Sequence, residues 1–274
     1  RSSPRTETGS ESRRRRWALL TPRAFLSRRA LLTPGAQPTS LAPWALLILP
    51  LLVLLLPPIV RGEIWFHEDL EFYFYGLRGQ LRQFMLEGQV WGWNPAVSGG
   101  IPVLADIQLA PFYPLNLFFY LLSSGVAFNL TFLIHFALGT FLCAWYLTRL
   151  GLSSWPVVVG TLLFMWNGFF WAHLHHVTFL ASGIWLPGML LAWDRLRLAP
   201  RAICTWPLLA GMVAMAALAG GSPQLLYYAL LTLGVYMPVT LWIDGATPPA
   251  AARRLAWGAL AIALGLGTAA VQLW

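Results

Sequence analysis

The chain alternates long apolar stretches with short polar connections, and this pattern predicts a bundle of membrane-spanning helices. An apolar run of about 20 residues is long enough to cross a bilayer as a helix. Such runs lie near residues 41–60, 125–147, 156–174, 177–193, 203–220, 223–242 and 255–273. Residues 115–122, cut off by Ser123-Ser124-Gly125, are predicted to lie in the interface or to re-enter the membrane. The sequence therefore predicts an all-α, polytopic membrane domain of about seven spans over residues 41–274.

Composition supports this prediction. Of the 274 residues, 58% are apolar and only 10% are charged, which is typical of an integral membrane protein. Because the chain starts at Arg1 and stops at Trp274 within an apolar run, we expect a fragment that lacks at least its C-terminal part. Cys143 and Cys204 lie in or beside apolar runs, so neither a disulfide framework nor a zinc site is predicted.

The basic residues are all arginines, and their distribution predicts an orientation. Residues 1–40 hold nine of the 18 arginines among Ser, Thr, Pro and Gly, which predicts a disordered cytoplasmic tail before a signal anchor. We expect no nucleic-acid binding by a tail that adjoins such an anchor. Arginines stay on the cytoplasmic side of membrane proteins. With the tail inside, the connections at Arg149, at residues 194–201 and at Arg253-Arg254 also fall inside, which favours seven crossings.

The segment from Arg61 to Pro114, here called the first loop, has the opposite charge balance. It holds six of the ten acidic residues but only three arginines, and the same topology places it on the outer face. From Leu70 onward, apolar positions recur at helical spacing and end near Gly88. These positions are Leu70, Phe74, Leu77, Leu81 and Met85. They predict an amphipathic helix that lies on the outer membrane surface.

Two adjacent carboxylates, Glu68 and Asp69, precede this helix and admit two interpretations. Asp69 could be an N-cap that accepts a free backbone amide. Alternatively, the pair could hold a divalent cation or accept a proton from an attacking hydroxyl group. Asp106 could share that cation, or it could be a solvated loop acid.

Arginines and histidines near the predicted outer face are further candidates. Arg78 and Arg82 lie one turn apart and could bind a phosphate group, contact lipid headgroups or pair with a loop acid. His173 and His176 are three residues apart and could form a metal or phosphate site with His175. The alternative is that these histidines simply occupy the wet interface at the end of a crossing.

The roles of other polar and aromatic residues also admit two interpretations. His135 falls within an apolar crossing, where it could be functional or could be a neutral imidazole bonded to a neighbouring helix. Several aromatic residues favour an interfacial belt over sugar stacking. They are Trp65, Trp91, Trp93, Tyr113 and Trp171.

Taken together, these motifs resemble the YfhO-type bacterial membrane proteins, which belong to the GT-C class of polytopic glycosyltransferases. The likeness covers about residues 45–274 and is most specific in the first loop. Its loop residues are Glu68-Asp69, Glu87-Gly88, Trp93-Asn94-Pro95, Gly99-Gly100-Ile101-Pro102, Gln108 and Phe112-Tyr113-Pro114-Leu115-Asn116. Beyond the loop they are His135, Gly139, His173 to Trp185-Leu186-Pro187, Gly220-Gly221-Ser222-Pro223-Gln224 and Tyr227-Tyr228.

The resemblance implies a GT-C-like fold and an enzyme in the cell membrane. It implies that a sugar is transferred from a polyprenyl phosphate-linked donor to an envelope glycopolymer or glycolipid on the outer face. Asp69 and Glu68 would be the catalytic acids, and with Asp106 they would bind a divalent cation, Mg²⁺ or Mn²⁺. The expected substrate-binding residues are Arg78, Asn94, Gln108, Tyr113, His173, His176 and Gln224.

Two other functions remain as alternatives. A transporter or flippase of lipid-linked glycans would need polar residues at mid-bilayer and pseudo-symmetric halves. Apart from His135, the predicted crossings hold few such groups. A non-catalytic factor of envelope assembly would neither bind nor consume the donor lipid.

Overall fold

The protein is a helical bundle with one very short β-hairpin. In this computed structural model, the described residues are 42–64, 68–88, 93–95, 99–103, 106–220 and 222–273, so the predicted tail at residues 1–40 lies outside them. Five described helical segments are long and apolar enough to cross a membrane. They are Pro43–Arg61, Ser124–Arg149, Ser154–Ala172, Val177–Leu198 and Pro223–Ile243. The architecture is therefore that of an all-α, multi-pass membrane bundle.

Two of the seven predicted crossings differ from these five. Trp206–Leu218 is apolar, but its 13 residues extend only about 20 Å, less than the roughly 30 Å hydrocarbon core. Pro248–Thr268 has 21 residues but carries Arg253 and Arg254, and it is not among the five apolar spans. These two helices pack against each other more extensively than any other described pair. The seven-crossing topology, and the orientation that depends on it, stays a prediction.

We label the regular elements in chain order. The first helices are α1 (Ala42–Pro50), α2 (Leu56–Arg61), α3 (Tyr75–Leu86), α4 (Leu117–Leu121), α5 (Ser124–Arg149), α6 (Ser154–Met165) and α7 (Gly168–Ala172). The later ones are α8 (Val177–Gly183), α9 (Leu186–Leu198), α10 (Trp206–Leu218), α11 (Pro223–Ile243), α12 (Pro248–Thr268) and α13 (Ala270–Leu273). Strands β1 (Trp93–Asn94) and β2 (Ile101–Pro102) pair antiparallel. The described elements also include two π-helical turns, Leu51–Leu55 and Leu70–Phe74, and two 3-10 turns, Pro114–Asn116 and Ala202–Cys204.

The Val177–Leu198 span, formed by α8 and α9, lies at the centre of the bundle. Of its most apolar window, 78% is buried inside the protein, compared with 17% for Pro43–Arg61. Helix α5 approaches this centre closely at Gly139, where a Cβ atom would stand 2.9 Å from Ile184 Cγ2 and 2.6 Å from Met165 Sδ. The central span therefore packs mostly against protein, whereas the first span is left mostly to lipid.

The amphipathic helix predicted in the first loop is confirmed. It comprises the π-helical turn Leu70–Phe74 followed directly by α3. Gly88, two residues after the end of α3, has a φ of +65°. Four positions of the predicted apolar stripe are at most 5% exposed: Leu70, Phe74, Leu77 and Leu81. The Met85 side chain lies outside the described part. Burial of one helical face is what holds this segment against the bundle.

The interruption predicted after residue 122 is also present. Helix α4 ends at Leu121, and the long helix α5 begins separately at Ser124. The chain between them passes through an extended Ser123, with φ of −62° and ψ of 149°. Helix α4 therefore packs against the first-loop helix α3 and is not part of the span that follows.

Candidate functional site

Two carboxylates and two imidazoles meet where the first loop contacts the connection between α7 and α8. Glu68 Oε2 lies 3.3 Å from His175 Nε2, and Asp69 Oδ2 lies 3.2 Å from His176 Nε2. The ring of His173 stands 5.9 Å from that of His175 and 6.0 Å from that of His176. We call these five residues the His–carboxylate cluster. It joins two sequence features that are more than 100 residues apart.

The carboxylate of Asp69 is available to the histidine because it does not cap the helix. Asp69 stands at the N-cap position of the turn that begins at Leu70, but its side chain makes no capping hydrogen bond. The backbone amides of Glu71 and Phe72 instead donate to the carbonyl oxygen of Glu68, at 2.9 and 3.0 Å. The N-cap interpretation of the Asp69 side chain is therefore wrong.

Glu68 has an unusual backbone conformation for its residue type. Its φ of +46° lies in the left-handed region, which side chains other than glycine rarely adopt. Residues held in such conformations cost of order 1–3 kcal/mol and concentrate at binding and catalytic sites. This turn allows Glu68 and Asp69, although adjacent, each to reach a different histidine, and both carboxylates stay more than half exposed.

The histidine side of the cluster is held by a short, capped helix. The side chain of Asn167 accepts a hydrogen bond from Phe170 N at 3.0 Å and so begins α7. At its end, His173 Nδ1 lies 2.7 Å from the carbonyl oxygen of Phe169, and because a carbonyl can only accept, Nδ1 carries a hydrogen. The rings of Phe169 and Phe179 flank His173 at 4.6 and 5.5 Å. The imidazoles are thus fixed in orientation and backed by aromatic rings.

Electrostatics favour a neutral His176. Burial, together with the neighbouring His175, lowers the pKa of His176 and outweighs the attraction of Asp69. His176 Nδ1 is buried and has no hydrogen-bond partner among the described residues, whereas Nε2 faces the Asp69 carboxylate. A neutral ring with its hydrogen on Nε2 fits both surroundings. The cluster can therefore orient the Asp69 carboxylate while that side chain stays more than half exposed.

The predicted cation site with Asp106 is not assembled in the described part of the chain. No group of three or more His, Cys, Asp or Glu residues there is arranged to hold a metal ion. Asp106 instead accepts hydrogen bonds from the hydroxyl of Tyr73 and from the backbone amide of Gln108, the latter at 2.9 Å. These bonds tie Asp106 to the first-loop helix. The structure therefore does not bring Asp106 together with Glu68 and Asp69, and both the metal ligands and the requirement for a metal stay predictions.

Arg78 does not lie on the exposed face of the first-loop helix. It is 1% exposed, and its guanidinium group donates to Asn116 Oδ1 at 3.3 Å and to the carbonyl oxygen of Gln108 at 3.1 Å. The rings of Phe74 and Phe119 flank it at 5.4 and 5.1 Å. Burial lowers the pKa of Arg78 to about 10, so it remains charged at neutral pH. Its contacts hold the loop together and place its charge away from any lipid headgroup.

Tyr113 is another predicted surface residue that the structure buries. It is 1% exposed, its hydroxyl lies 2.9 Å from His135 Nε2, and Trp185 Nε1 donates to the same hydroxyl at 3.3 Å. His135 Nδ1 lies 2.6 Å from the carbonyl oxygen of Thr131, so Nδ1 carries the hydrogen and Nε2 accepts from Tyr113. Both ring nitrogens of His135 are thus bonded. Tyr113 belongs to a buried network and not to the interfacial aromatic belt.

The remaining predicted substrate contacts lie outside the His–carboxylate cluster. Asn94 is 2% exposed and donates to Gln80, and the backbone of Gln108 bonds to Arg78 and Asp106. Gln224 donates to the hydroxyl of Tyr228 at 2.9 Å on the surface. Trp93 is exposed, whereas Trp65 and Trp91 lie outside the described residues. Of the candidate residues named from the sequence, the structure brings together Glu68, Asp69, His173, His175 and His176.

No protein-family model, curated protein or solved structure matches this chain. The resemblance to YfhO-type proteins therefore stays a prediction. The candidate site rests on its own geometry: a pair of exposed carboxylates, each in contact with an imidazole, directly after the first span.

Proposed function

We propose that the protein is a membrane glycosyltransferase that uses the His–carboxylate cluster to transfer a sugar from a polyprenyl phosphate to an acceptor hydroxyl in the cell envelope. The observation that carries this proposal is the contact of 3.2 Å between Asp69 and His176, paired with the Glu68–His175 contact beside it. Transfer to a hydroxyl requires a base within reach of that hydroxyl. An exposed carboxylate held by a neutral imidazole meets this requirement.

In this mechanism, Asp69 accepts the proton of the acceptor hydroxyl as its oxygen bonds to the anomeric carbon. The bond from that carbon to the donor phosphate breaks, and the polyprenyl phosphate leaves with the electron pair. His176 positions the carboxylate through its Nε2 hydrogen, so it acts through Asp69. Because Arg78 is buried, Arg82 is the exposed arginine of the first-loop helix that remains a candidate for stabilising the departing phosphate.

The test is an assay of the purified chain with radiolabelled polyprenyl phosphate sugars, with Mg²⁺, with Mn²⁺ and with a chelator. Removing a general base lowers a rate about 10²- to 10⁴-fold. We therefore expect Asp69→Asn to lose transfer by at least about 100-fold at unchanged protein level. The matched control is Glu71→Gln, which removes an exposed acid two residues further along the same segment. Full activity of Asp69→Asn would remove the proposed base.

The same assay separates the alternatives. A transporter would move labelled lipid across a vesicle membrane without consuming it, and an assembly factor would leave it unbound and intact. Within the described spans, His135 is the histidine that a transport pathway would use, but both of its nitrogens are already bonded. This favours the transferase over the transporter.

A further inference from the structure

A second polar region lies at the other end of the central Val177–Leu198 span, about 33 Å from the His–carboxylate cluster if the 22 residues rise as one helix. There the chain leaves α9 and turns through Ala199-Pro200. Two cavities, of about 220 and 290 Å³, open on either side of this turn and share both of its residues. We call the larger one the arginine cleft.

The arginine cleft is strongly basic. Its charged lining residues are Arg201, Arg253 and Arg254, and the described residues contribute no acid to its wall. Arg201 and Arg253 form no ion pair within the described part of the chain, so an anion bound beside them would offset two like charges. The cleft is therefore complementary to an anionic ligand.

The smaller cavity, of about 220 Å³, adds to the positive electrostatic potential of the arginine cleft. Arg149 and Arg195 line it and are close enough to repel each other. Asp194, the acid among its described lining residues, already accepts a hydrogen bond from Arg197 Nε at 2.6 Å. The acid therefore does not balance Arg149 and Arg195, and the positive potential extends across the Ala199-Pro200 turn.

The walls of the arginine cleft are fixed. Arg254 donates to the carbonyl oxygens of Leu196 and Ala199, at 3.1 and 3.3 Å, and so links α12 to the end of α9. Trp257, one turn along α12, forms an apolar wall beside the three arginines. Arginines that serve only to set membrane orientation need no such shared cavity, because they act through charge alone.

We propose that the arginine cleft binds the phosphate group of an anionic lipid headgroup. Guanidinium groups bind phosphate through paired N–H donors, and basic pockets between membrane helices bind anionic headgroups. The wall at Trp257 suits the glycerol and the first methylenes of such a lipid, since tryptophan prefers the membrane interface. Free inorganic phosphate shares the headgroup chemistry but lacks the part that would contact this wall.

The experiment uses the whole chain purified in a neutral detergent. Binding of dioctanoyl phosphatidic acid, dioctanoyl phosphatidylcholine and inorganic phosphate is measured by native mass spectrometry and by the shift in melting temperature. We expect phosphatidic acid to bind the wild type at least about tenfold more tightly than an Arg201→Gln, Arg253→Gln double variant. Both substituted residues are exposed, and Arg254, which links two helices, is left in place. Arg61→Gln, which changes an exposed arginine outside the cleft, is the matched control and should bind like the wild type.

Each outcome decides the proposal. Equal affinity of the wild type and the double variant for phosphatidic acid overturns it, as does equal binding of phosphatidylcholine. If inorganic phosphate displaces the lipid at the same concentration, the cleft binds free phosphate and the assignment to a lipid headgroup is wrong. If the double variant does not fold, Arg253→Gln alone provides the same comparison, with an expected loss of about threefold. The proposal is independent of the transferase activity, because none of these measurements requires turnover.

Discussion

The two ends of the central Val177–Leu198 span carry charge in opposite ways. At one end, the side chains of Glu68 and Asp69 are 57% and 54% exposed, and each contacts a histidine. Near the other end, the Arg197 side chain is fully buried and pairs with Asp194 and Asp244. The buried charges pair with one another, whereas the carboxylates at the first end are more than half exposed. Only the first arrangement leaves a carboxylate at the surface, as the proposed base requires.

The buried group acts as a clamp between helices. Arg197 in α9 reaches Asp244 just after α11, and the hydroxyl of Tyr236 in α11 donates to Asp194 at 3.1 Å. The hydroxyl of Tyr146 in α5 donates in turn to Tyr236, also at 3.1 Å. Three helices therefore meet through one continuous hydrogen-bond network. Substitution of any residue in this network should lower the free energy of unfolding. Substitution of a residue in the His–carboxylate cluster should not.

The largest expected loss of stability follows from Arg197→Ala. The substitution leaves two carboxylates close together without their cation, and breaking a buried ion pair in this way costs about 3–5 kcal/mol. Unfolding of the purified variant in mixed micelles measures the loss. Arg195→Ala, an exposed neighbour, is the control and should stay within about 0.5 kcal/mol of the wild type. A similar loss in both variants would contradict the clamp.

A smaller loss is expected from Tyr236→Phe. It removes a hydrogen bond to the Asp194 carboxylate, and such bonds to charged groups contribute about 1.5–3 kcal/mol. Tyr228→Phe, which changes an exposed tyrosine of the same helix, should have no comparable effect. If Tyr236→Phe matched the wild type in the same unfolding measurement, the hydroxyl would not be part of the clamp.

At the exposed end, Asp69→Asn should barely change stability while it removes activity. A substitution of a half-exposed carboxylate that caps no helix is expected to stay within about 0.5 kcal/mol. The melting temperature of the purified variant, measured beside its transfer rate, checks this. A large drop in melting temperature would mean that Asp69 serves the fold, and the two ends of the span would no longer differ.

The smallest effect is a pH dependence that comes from His176. Burial and His175 lower the pKa of His176 below the usual value of about 6.5, so the unfolded chain binds this proton more readily than the folded protein does. The contribution is fully present above about pH 6.5 and is lost as the pH falls below it. We expect the melting temperature to fall between about pH 7.5 and 5.5, and less so in His176→Gln. An unchanged pH slope in that variant would contradict the assignment.

Sequence periodicity predicted local structure well but did not predict partners. The stripe Leu70, Phe74, Leu77 and Leu81 defined the first-loop helix and its buried face. The same periodicity also places Arg78 on the buried face, because Arg78 follows Phe74 by four residues and precedes Leu81 by three. Its partner Asn116 could not be predicted, because 38 residues separate the two.

Charge counting had a similar limit. A count of charges treats the arginines at the predicted inner connections as one class, but Arg197 is buried in a clamp, Arg254 is bonded to carbonyl groups, and Arg253 is exposed. Asp69 and His176 were both predicted as site residues, yet their contact depends on how the spans pack, which single-chain periodicity does not specify. The residues of the candidate site could therefore be named from the sequence, whereas their grouping could not.

Only 17% of the apolar window of the first span is buried. The surrounding bilayer therefore contributes to the position of Glu68 and Asp69, which follow this span. A helix that few protein neighbours hold adjusts its tilt to the hydrocarbon thickness around it. Arg61 ends this helix seven residues before Glu68, so the depth of the carboxylates relative to the headgroups depends on membrane thickness. Because Glu68 and Asp69 also contact His175 and His176, a thicker or thinner lipid mixture would act on these two contacts.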